Sequence, residues 1–237
     1  MADRRLKILC KFPSRSRPDK FKHVFSLYKS MASGKHDLIF VLSFDSDDST
    51  MNNDEMKQWL AEQGSNVHWF YGNSTSKISA VNADMDRGWH FDILLLASDD
   101  MIPVKPGYDD TIAKDMLEHF LDFDGVLHYN DGLRGDKLNT LCILGKPYFD
   151  RFGYIYHPSY TSVFCDNEFT EVSYALGKVK YIDRVIIQHR WMEQGKDALY
   201  QRNEHPSMYQ KDHMVYQMRR SAGFPFVDRT KTMKVGT

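Results

Sequence analysis

The sequence predicts an α/β fold with a mostly parallel central sheet that is covered by helices on both faces. Three segments of strand length that are rich in apolar residues, at 6–12, 38–44 and 67–71, alternate with segments whose apolar residues recur at helical spacing. A fourth apolar run at 91–96 is followed closely by two adjacent carboxylates. Strands that alternate with helices in this way form parallel β-α-β units.

The elements of the first half follow one another in strict alternation. Polar loops follow the strands, and parallel sheets bind ligands at the carboxyl ends of their strands. In order, the sequence predicts a strand at 6–12, a helix over 21–31, a strand at 38–44, a helix around 56–60 that stops near Gly64, a strand at 67–71, a helix over 78–85 and the strand at 91–96.

The second half is smaller and mixed, with a glycine-rich turn at 130–135 between two short strands. The basic tail at 226–237 has few apolar residues, so we expect it to be loosely held. The predicted elements are a helix at 108–121, strands at 125–129 and 140–144, a helix at 166–176, a strand at 179–187, and two helices at 196–203 and 208–220.

Composition excludes several classes of protein. The chain has 237 residues, of which 42% are hydrophobic, and can bury a large core as one domain. Its formal net charge of -1 gives no overall attraction for nucleic acid or an anionic membrane. No apolar run has transmembrane length and the N-terminus is charged, so we expect a cytoplasmic protein. The three cysteines lack paired spacing and are expected to be reduced.

Asp99 and Asp100 are the strongest candidates for chemistry. Two neighbouring carboxylates repel each other, which is costly unless a cation or hydrogen-bond donors meet them. A divalent ion that bridges a substrate phosphate to one or two carboxylates would relieve this repulsion. The alternative is a solvated turn in which one Asp caps the next segment.

Polar residues also follow the first and second strands. Arg15 and Arg17 lie in a proline-flanked loop, where guanidinium groups suit a diphosphate or a base, although surface arginines need no ligand. Asp45, Asp47 and Asp48 follow the second strand and could contact a nucleobase or ribose. The same cluster could equally cap the next helix.

Two helix starts carry further candidates. Lys77 opposes the helix dipole, so an anionic ligand nearby would explain it, and Asn82 lies on the same helix. The alternative for both is a solvated helix face. Asp166 and Glu168 begin a later helix, where an acid can cap the helix, act as a general base for a hydroxyl, or do both.

His189 and Arg190 end the last predicted strand. A lone His after an apolar strand is usually structural, but beside a carboxylate metal site it could be a third ligand. Arg190 could meet a phosphate. The sequence has no G-x-G-x-x-G, Walker A or G-x-S-x-G motif, which disfavours dinucleotide oxidoreductases, P-loop NTPases and α/β-hydrolases.

Taken in order, these residues resemble the GT-A glycosyltransferases, in particular the small inverting enzymes of family-2 type. The resemblance covers roughly 6–190 and lies in the order and spacing of the loops. It implies a GT-A (Rossmann-like) domain at 1–225, with a nucleotide-sugar-binding half at 1–102 and an acceptor half at 103–225. The matching pieces are Pro13-Ser14-Arg15, Asp45-Ser46-Asp47-Asp48, 77–82, Ala97-Ser98-Asp99-Asp100, Asp166-Asn167-Glu168 and His189-Arg190.

The resemblance implies metal-dependent transfer of a sugar from a nucleotide-sugar, most often a UDP-sugar, to an acceptor hydroxyl with inversion. Asp100 would hold Mn²⁺ or Mg²⁺, Asp99 would contact ribose or share the metal, and His189 would complete the metal site. Asp166 or Glu168 would deprotonate the acceptor. The expected donor-binding residues are Arg15, Asp45, Asp47, Lys77, Asn82, Asp99 and Arg190.

One position departs from the usual Asp-x-Asp pattern, because Ala97 stands where the first acid would be. The roles of Asp99 and Asp100 are therefore open at this point, as is the choice of base. The aromatic segment 148–158 would form the acceptor-side wall or a packed corner of the core.

The acceptor also has several interpretations. The opening of the chain resembles that of compact bacteriophage enzymes, some of which glycosylate 5-hydroxymethylpyrimidines in DNA, and such an enzyme would act in the host cytoplasm. A modified double-stranded DNA, a glycan and a small molecule are all retained as acceptors. The basic residues that would suit a DNA backbone are Arg219, Arg220, Arg229, Lys231 and Lys234.

Two other functions compete with sugar transfer. The run from Phe40 to Asp47 mimics the strand and Asp-x-Asp nucleophile of a haloacid-dehalogenase-like phosphatase, although a β-α unit precedes it. A non-catalytic nucleotide- or DNA-binding module of the same fold is the other alternative, because fold alone does not confer turnover.

Overall fold

A computed structural model of the chain describes residues 4–190, 197, 199, 201, 205–226 and 228–232. Its strands are β1 Lys7–Pro13, β2 Asp37–Asp45, β3 Val67–Gly72, β4 Ile93–Leu96, β5 Met101–Pro103, β6 Val126–Tyr129, β7 Ile143–Gly145, β8 Val179–Ile182 and β9 Ile187–His189. Its helices are α1 Pro18–Ser30, α2 Asp54–Ala61, α3 Lys77–Asn82, α4 Tyr108–His119, α5 Lys146–Phe152, α6 Cys165–Ala175, α7 Pro206–Ser221 and α8 Arg229–Thr232.

Seven strands form one sheet in the order β3-β2-β1-β4-β7-β6-β8. The β1 strand pairs in parallel with β2 and β4, and β2 pairs in parallel with β3, which confirms the predicted β-α-β order. The β7 strand is antiparallel to both β4 and β6, and β8 is parallel to β6. A mixed second half therefore continues the parallel sheet of the first, as predicted.

The sheet is buried on both faces. Along β1, Ile8 and Phe12 belong to the core cluster that includes α1, whereas Leu9 belongs to the opposite cluster with α3. Because successive side chains of a strand point to opposite faces, a strand covered on both sides needs a continuous apolar run. Cys10, Cys142 and Cys165 are buried and unpaired, as expected. None of the helices in the described ranges has the length and apolarity that crossing a membrane requires.

The structure differs from the predicted elements in the second half. The predicted strand at 179–187 is split into β8 and β9, and the short β5 and α5 were not predicted. The helix predicted at 196–203 lies largely outside the described residues. The predicted loose tail starts with Phe226, whose ring packs 4.6 Å from that of Phe152, between centroids.

Candidate active site at the end of the central strand

Asp99 and Asp100 follow β4, which lies between β1 and β7 in the middle of the sheet. Their carboxylates have different partners. Asp99 Oδ1 accepts a hydrogen bond from Arg17 Nη1 at 3.0 Å. Asp100 accepts a hydrogen bond from the Ser98 hydroxyl, and its Oδ2 lies 3.7 Å from His189 Nε2. The two adjacent carboxylates therefore have no shared partner among the described residues.

The small β5–β9 ladder brings His189 to Asp100. Met101 is the register partner of His189, and the Arg190 backbone N–H donates to the Asp100 carbonyl at 2.8 Å. Two residues that are far apart in sequence thus become neighbours through a three-residue strand pairing. The side chain of Arg190 donates from Nε to Gln188 Oε1 at 2.9 Å.

The charges of this pair stabilise each other. Burial would raise the pKa of Asp100, but the His189 side chain and the Ser98 hydroxyl outweigh it and hold that pKa below its usual value. Burial would lower the pKa of His189, but Asp100 and Asp131 raise it to about 9. The imidazole thus lies between two carboxylates, because its Nδ1 is 3.8 Å from Asp131 Oδ2.

Lys77 and Asp166 belong to the same site. Lys77 is the first residue of α3, and its charge acts on the pKa values of Asp100, Asp166 and His189. Burial raises the pKa of Asp166, against the opposing effects of Lys77 and a backbone N–H of Asn167. Four predicted site residues, Lys77, Asp100, Asp166 and His189, therefore interact electrostatically.

Glu168, the other candidate base on α6, has different partners from Asp166. Both of its oxygens accept hydrogen bonds from Arg219 of α7, each at 2.7 Å, and the Tyr160 hydroxyl donates to Oε2 at 2.7 Å. The side chain is buried. Of the two candidate bases, Glu168 is bound in a structural ion pair, whereas the charges of Lys77 and His189 act on Asp166.

Arg15, Asp45 and Asp47 form a cluster after β1 and β2. Arg15 Nη1 donates to Asp45 Oδ2 at 2.7 Å and to Asp47 Oδ1 at 2.5 Å. The Ser74 backbone N–H donates to the second oxygen of Asp45 at 3.3 Å. Both Asp45 oxygens thus accept hydrogen bonds within the chain. The alternative, that this cluster caps the next helix, is wrong, because Asn53 caps α2 by accepting from Met56 N. The Asp48 carboxylate instead accepts from Ser16 N at 2.6 Å.

Asn82 holds the chain after α5. Its Oδ1 accepts from Ile155 N at 2.9 Å and from Tyr156 N at 3.2 Å, and its Nδ2 donates to the Tyr156 carbonyl at 2.7 Å. These three hydrogen bonds give Asn82 a structural role in holding the backbone at 155–156. The aromatic segment 148–158 is largely a packed corner, since Tyr148, Phe149, Phe152, Ile155 and Tyr156 are buried.

Asp131 is a charged neighbour of the site that the sequence did not single out. It lies in the glycine-rich turn and is 1% exposed. The glycine-rich turn is recognisable in the sequence, but nothing in its local sequence indicates that Asp131 lies near His189. That link arises only through the fold, where the His189 backbone N–H donates to the Asp131 carbonyl at 2.9 Å.

Asp100 and His189 fit a divalent ion as a pair. Among the described residues, no three His, Cys, Asp or Glu side chains are arranged to hold a metal, so the predicted trio of Asp99, Asp100 and His189 is not preformed. A pair suits Mn²⁺ or Mg²⁺ when substrate phosphate and water supply the other ligands. His189 Nδ1 is buried without a hydrogen-bond partner among the described residues and lies 3.8 Å from Asp131 Oδ2.

The basic residues near the C-terminus are engaged within the chain. Arg219 is paired with Glu168, and Arg220 Nε donates to Glu171 Oε2 at 2.9 Å. Their charges are largely neutralised by these partners, so the structure gives no support to a DNA-backbone surface at these two positions. Lys234 and the side chain of Lys231 lie outside the described residues.

Solved structures of low sequence identity share this fold. They include the mannosyltransferase PcManGT from Pyrobaculum calidifontis in complex with GDP-Man and Mn²⁺, at 14% identity and a TM-score of 0.62, covering 81% of this chain and 59% of that chain. S. aureus TarS 1–349 has 12% identity and a TM-score of 0.57, covering 77% and 60%. Mannosyl-3-phosphoglycerate synthase from Rubrobacter xylanophilus has 14% identity and a TM-score of 0.61, covering 92% and 75%.

These likenesses show the GT-A fold. The chain spans about three fifths of the length of the first two structures. No protein-family model matches the sequence, and no curated protein is significantly similar to it.

Proposed function

We propose that this chain transfers a sugar from a nucleotide-sugar to an acceptor hydroxyl. The observation that carries the proposal is the pairing of Asp100 with His189 after β4, at 3.7 Å, with the charge of Lys77 acting on this pair and on Asp166. This cluster combines a cation for a diphosphate, two metal ligands and a second carboxylate for proton transfer. The GT-A fold supports the same function.

The proposed donor is a UDP-sugar, bound mainly by residues 1–102, with 103–225 forming the acceptor side. Arg15, Asp45 and Asp47 lie at the loops where the resemblance places the nucleobase. A GDP-sugar is the second donor class to test, because the Pyrobaculum mannosyltransferase was solved with GDP-Man.

Asp100 and His189 would hold Mn²⁺ or Mg²⁺. When bound, such an ion supplies positive charge that stabilises a departing diphosphate. Lys77 would add a fixed positive charge at the same place. Asp99 is held by Arg17 away from this pair, which leaves it for a ribose hydroxyl.

Asp166 would act as the general base. It would accept the proton of the acceptor hydroxyl while that oxygen attacks the anomeric carbon, and the bond from this carbon to the diphosphate would break. A single in-line displacement of this kind inverts the anomeric centre. The raised pKa of Asp166 makes its carboxylate a better proton acceptor than an ordinary aspartate.

Calorimetry with UDP and UDP-sugars tests the proposal, with Mn²⁺ or with EDTA. We expect nucleotide binding to be strengthened by Mn²⁺ in the wild type and weakened at least tenfold in Asp100→Asn, because losing even a hydrogen-bond partner of a metal ligand typically costs about 10–100-fold. Asp86→Asn, which removes a carboxylate from an exposed position, is the control. Unchanged affinity in Asp100→Asn would count against the metal site, and no binding of any UDP- or GDP-sugar would count against sugar transfer.

The acceptor can then be identified by product mass. Incubation with the best donor and with plain DNA, DNA that contains 5-hydroxymethylpyrimidines, glycans or small hydroxylated molecules should add the mass of one sugar to one class. Tight donor binding without transfer to any of them would favour the non-catalytic module.

A further inference from the structure

We propose that Asp131 is a positioning residue that accepts the Nδ1 proton of His189 and so presents Nε2 beside Asp100. The proposal rests on the proposed function, because it gives His189 its orientation in the metal site. It assigns a role to the glycine-rich turn at 130–135 that neither the motifs nor the fold supplies.

The Asp131 carboxylate is fixed before any ligand binds. Its Oδ1 accepts hydrogen bonds from the backbone N–H groups of Leu133 at 2.8 Å and Arg134 at 2.6 Å. Its Oδ2 accepts from the Thr140 hydroxyl at 2.7 Å. Gly132 has a φ of +80°, a conformation that allows this tight turn and that few other residues adopt. Three donors thus hold a buried carboxylate in one orientation.

His189 is held against this carboxylate by its own backbone. Its N–H donates to the Asp131 carbonyl at 2.9 Å, and its ring Nδ1 lies 3.8 Å from Asp131 Oδ2. The same Nδ1 is buried and has no hydrogen-bond partner in the described part of the chain. A shift of about 1 Å would bring the two atoms to hydrogen-bond distance. The ring is therefore aimed at Asp131 on one side and at Asp100 on the other.

This arrangement decides which nitrogen can bind a cation. A neutral imidazole carries one proton, and it binds a metal through the nitrogen that lacks it. A fixed carboxylate at Nδ1 keeps the proton there and leaves the Nε2 lone pair free on the Asp100 side. Removing such a partner of a ligating His typically costs 10–100-fold in metal affinity.

Asp131→Asn tests the idea with little change of shape. The Asn carbonyl can still accept from Leu133 and Arg134, but its amide would donate towards His189 Nδ1 and favour the tautomer that is protonated at Nε2. We expect Mn²⁺ affinity, measured by EPR of unbound Mn²⁺ in the presence of UDP, to fall at least tenfold. In the metal-free protein, at a pH above the His189 pKa of about 9 where the ring carries one proton, the ¹⁵N NMR signals of His189 should also change.

The control is Asp136→Asn, which removes an exposed negative charge near the same turn. Its Mn²⁺ affinity and His189 signals should match the wild type. If Asp131→Asn does not fold, Thr140→Val removes one of the three anchors and should weaken Mn²⁺ binding by a smaller factor.

The outcomes separate the two proposals. Wild-type Mn²⁺ affinity and unchanged His189 signals in a folded variant would overturn the role of Asp131. Failure of the wild type itself to bind Mn²⁺ with UDP would overturn the metal site. The ¹⁵N signals of the metal-free protein would then still decide whether Asp131 sets the His189 tautomer.

Discussion

Arg17 donates a hydrogen bond from Nη1 to Asp99 Oδ1 at 3.0 Å and thereby separates two adjacent carboxylates. Asp197 binds the same guanidinium through both of its oxygens, at 2.8 and 2.9 Å. Burial raises the pKa of Asp99 despite Arg17, whereas the pKa of Asp100 is lowered beside His189. Neighbouring acids whose environments shift their pKa values apart are suited to different roles.

Arg17→Met should destabilise the protein by about 1–3 kcal/mol at pH 7, because it leaves the buried Asp99 carboxylate without its partner. The double variant with Asp99→Asn should recover part of this loss, which urea unfolding would show. Arg5→Met, which breaks an exposed pair with Asp37, should cost no more than about 1 kcal/mol. Equal losses in the single and double variants would mean that Arg17 acts through packing or Asp197 alone.

Asp166→Asn should lower turnover by about 10²–10⁴-fold with little change in donor affinity, because a general base acts in the transition state. Glu168→Gln should instead lower stability, because it removes the negative charge that Arg219 pairs with inside the protein. Product release from the best donor and thermal unfolding would be measured for both. If Glu168→Gln, still folded, loses turnover and Asp166→Asn keeps it, the two roles must be exchanged.

The parallel half of the fold was predictable because its signal is local. Most positions of β1 and β2 are apolar, although Lys11 and Ser43 interrupt the two runs, and α1 and α2 carry their apolar residues at helical spacing. The β5 and β9 strands have three residues each and no period of their own. They form a two-stranded sheet by pairing with each other, and this pairing cannot be predicted from the sequence of either segment alone.

The site was predictable where a residue follows an apolar strand. Asp100 and His189 were proposed in this way, whereas the preference for Asp166 over Glu168 as the proposed base depends on the position of α7. Arg219 lies 51 residues after Glu168, and its ion pair depends on helix packing. Asp131 was missed for a similar reason. Its partner His189 lies on β9, and the sequence analysis predicted one long strand where the structure has β8 and β9.

Asn82→Ala should destabilise the protein by about 1–3 kcal/mol, because buried backbone groups at 155–156 would lose their hydrogen-bond partner. We expect the affinity for UDP in the presence of Mn²⁺ to stay within about a factor of three of the wild-type value, a change of less than about 1 kcal/mol in binding free energy. Chemical denaturation and calorimetry on the same samples would measure both. A large loss of UDP affinity without a loss of stability would instead support the donor contact predicted from the sequence.

Asp124 should give the protein a pH-dependent stability that is independent of the candidate site. Burial would raise its pKa, but Arg151, at 2.8 and 2.7 Å from its two oxygens, and Lys178 outweigh it and lower that pKa. A carboxyl whose pKa is lower in the folded than in the unfolded state stabilises the protein above its unfolded value of about 3.9. This contribution is lost as the pH falls through the folded value.

Asp124→Asn should therefore cost about 2 kcal/mol at pH 7, a typical value for hydrogen bonds to charged groups, and progressively less below about pH 4. Urea unfolding at pH 7, 5 and 3 would measure the difference from the wild type. Asp150→Asn, which affects an exposed pair with Lys146, should show little effect at any of these values. A difference that stays constant from pH 7 to pH 3 would show that Asp124 stabilises the fold through packing and not through its charge.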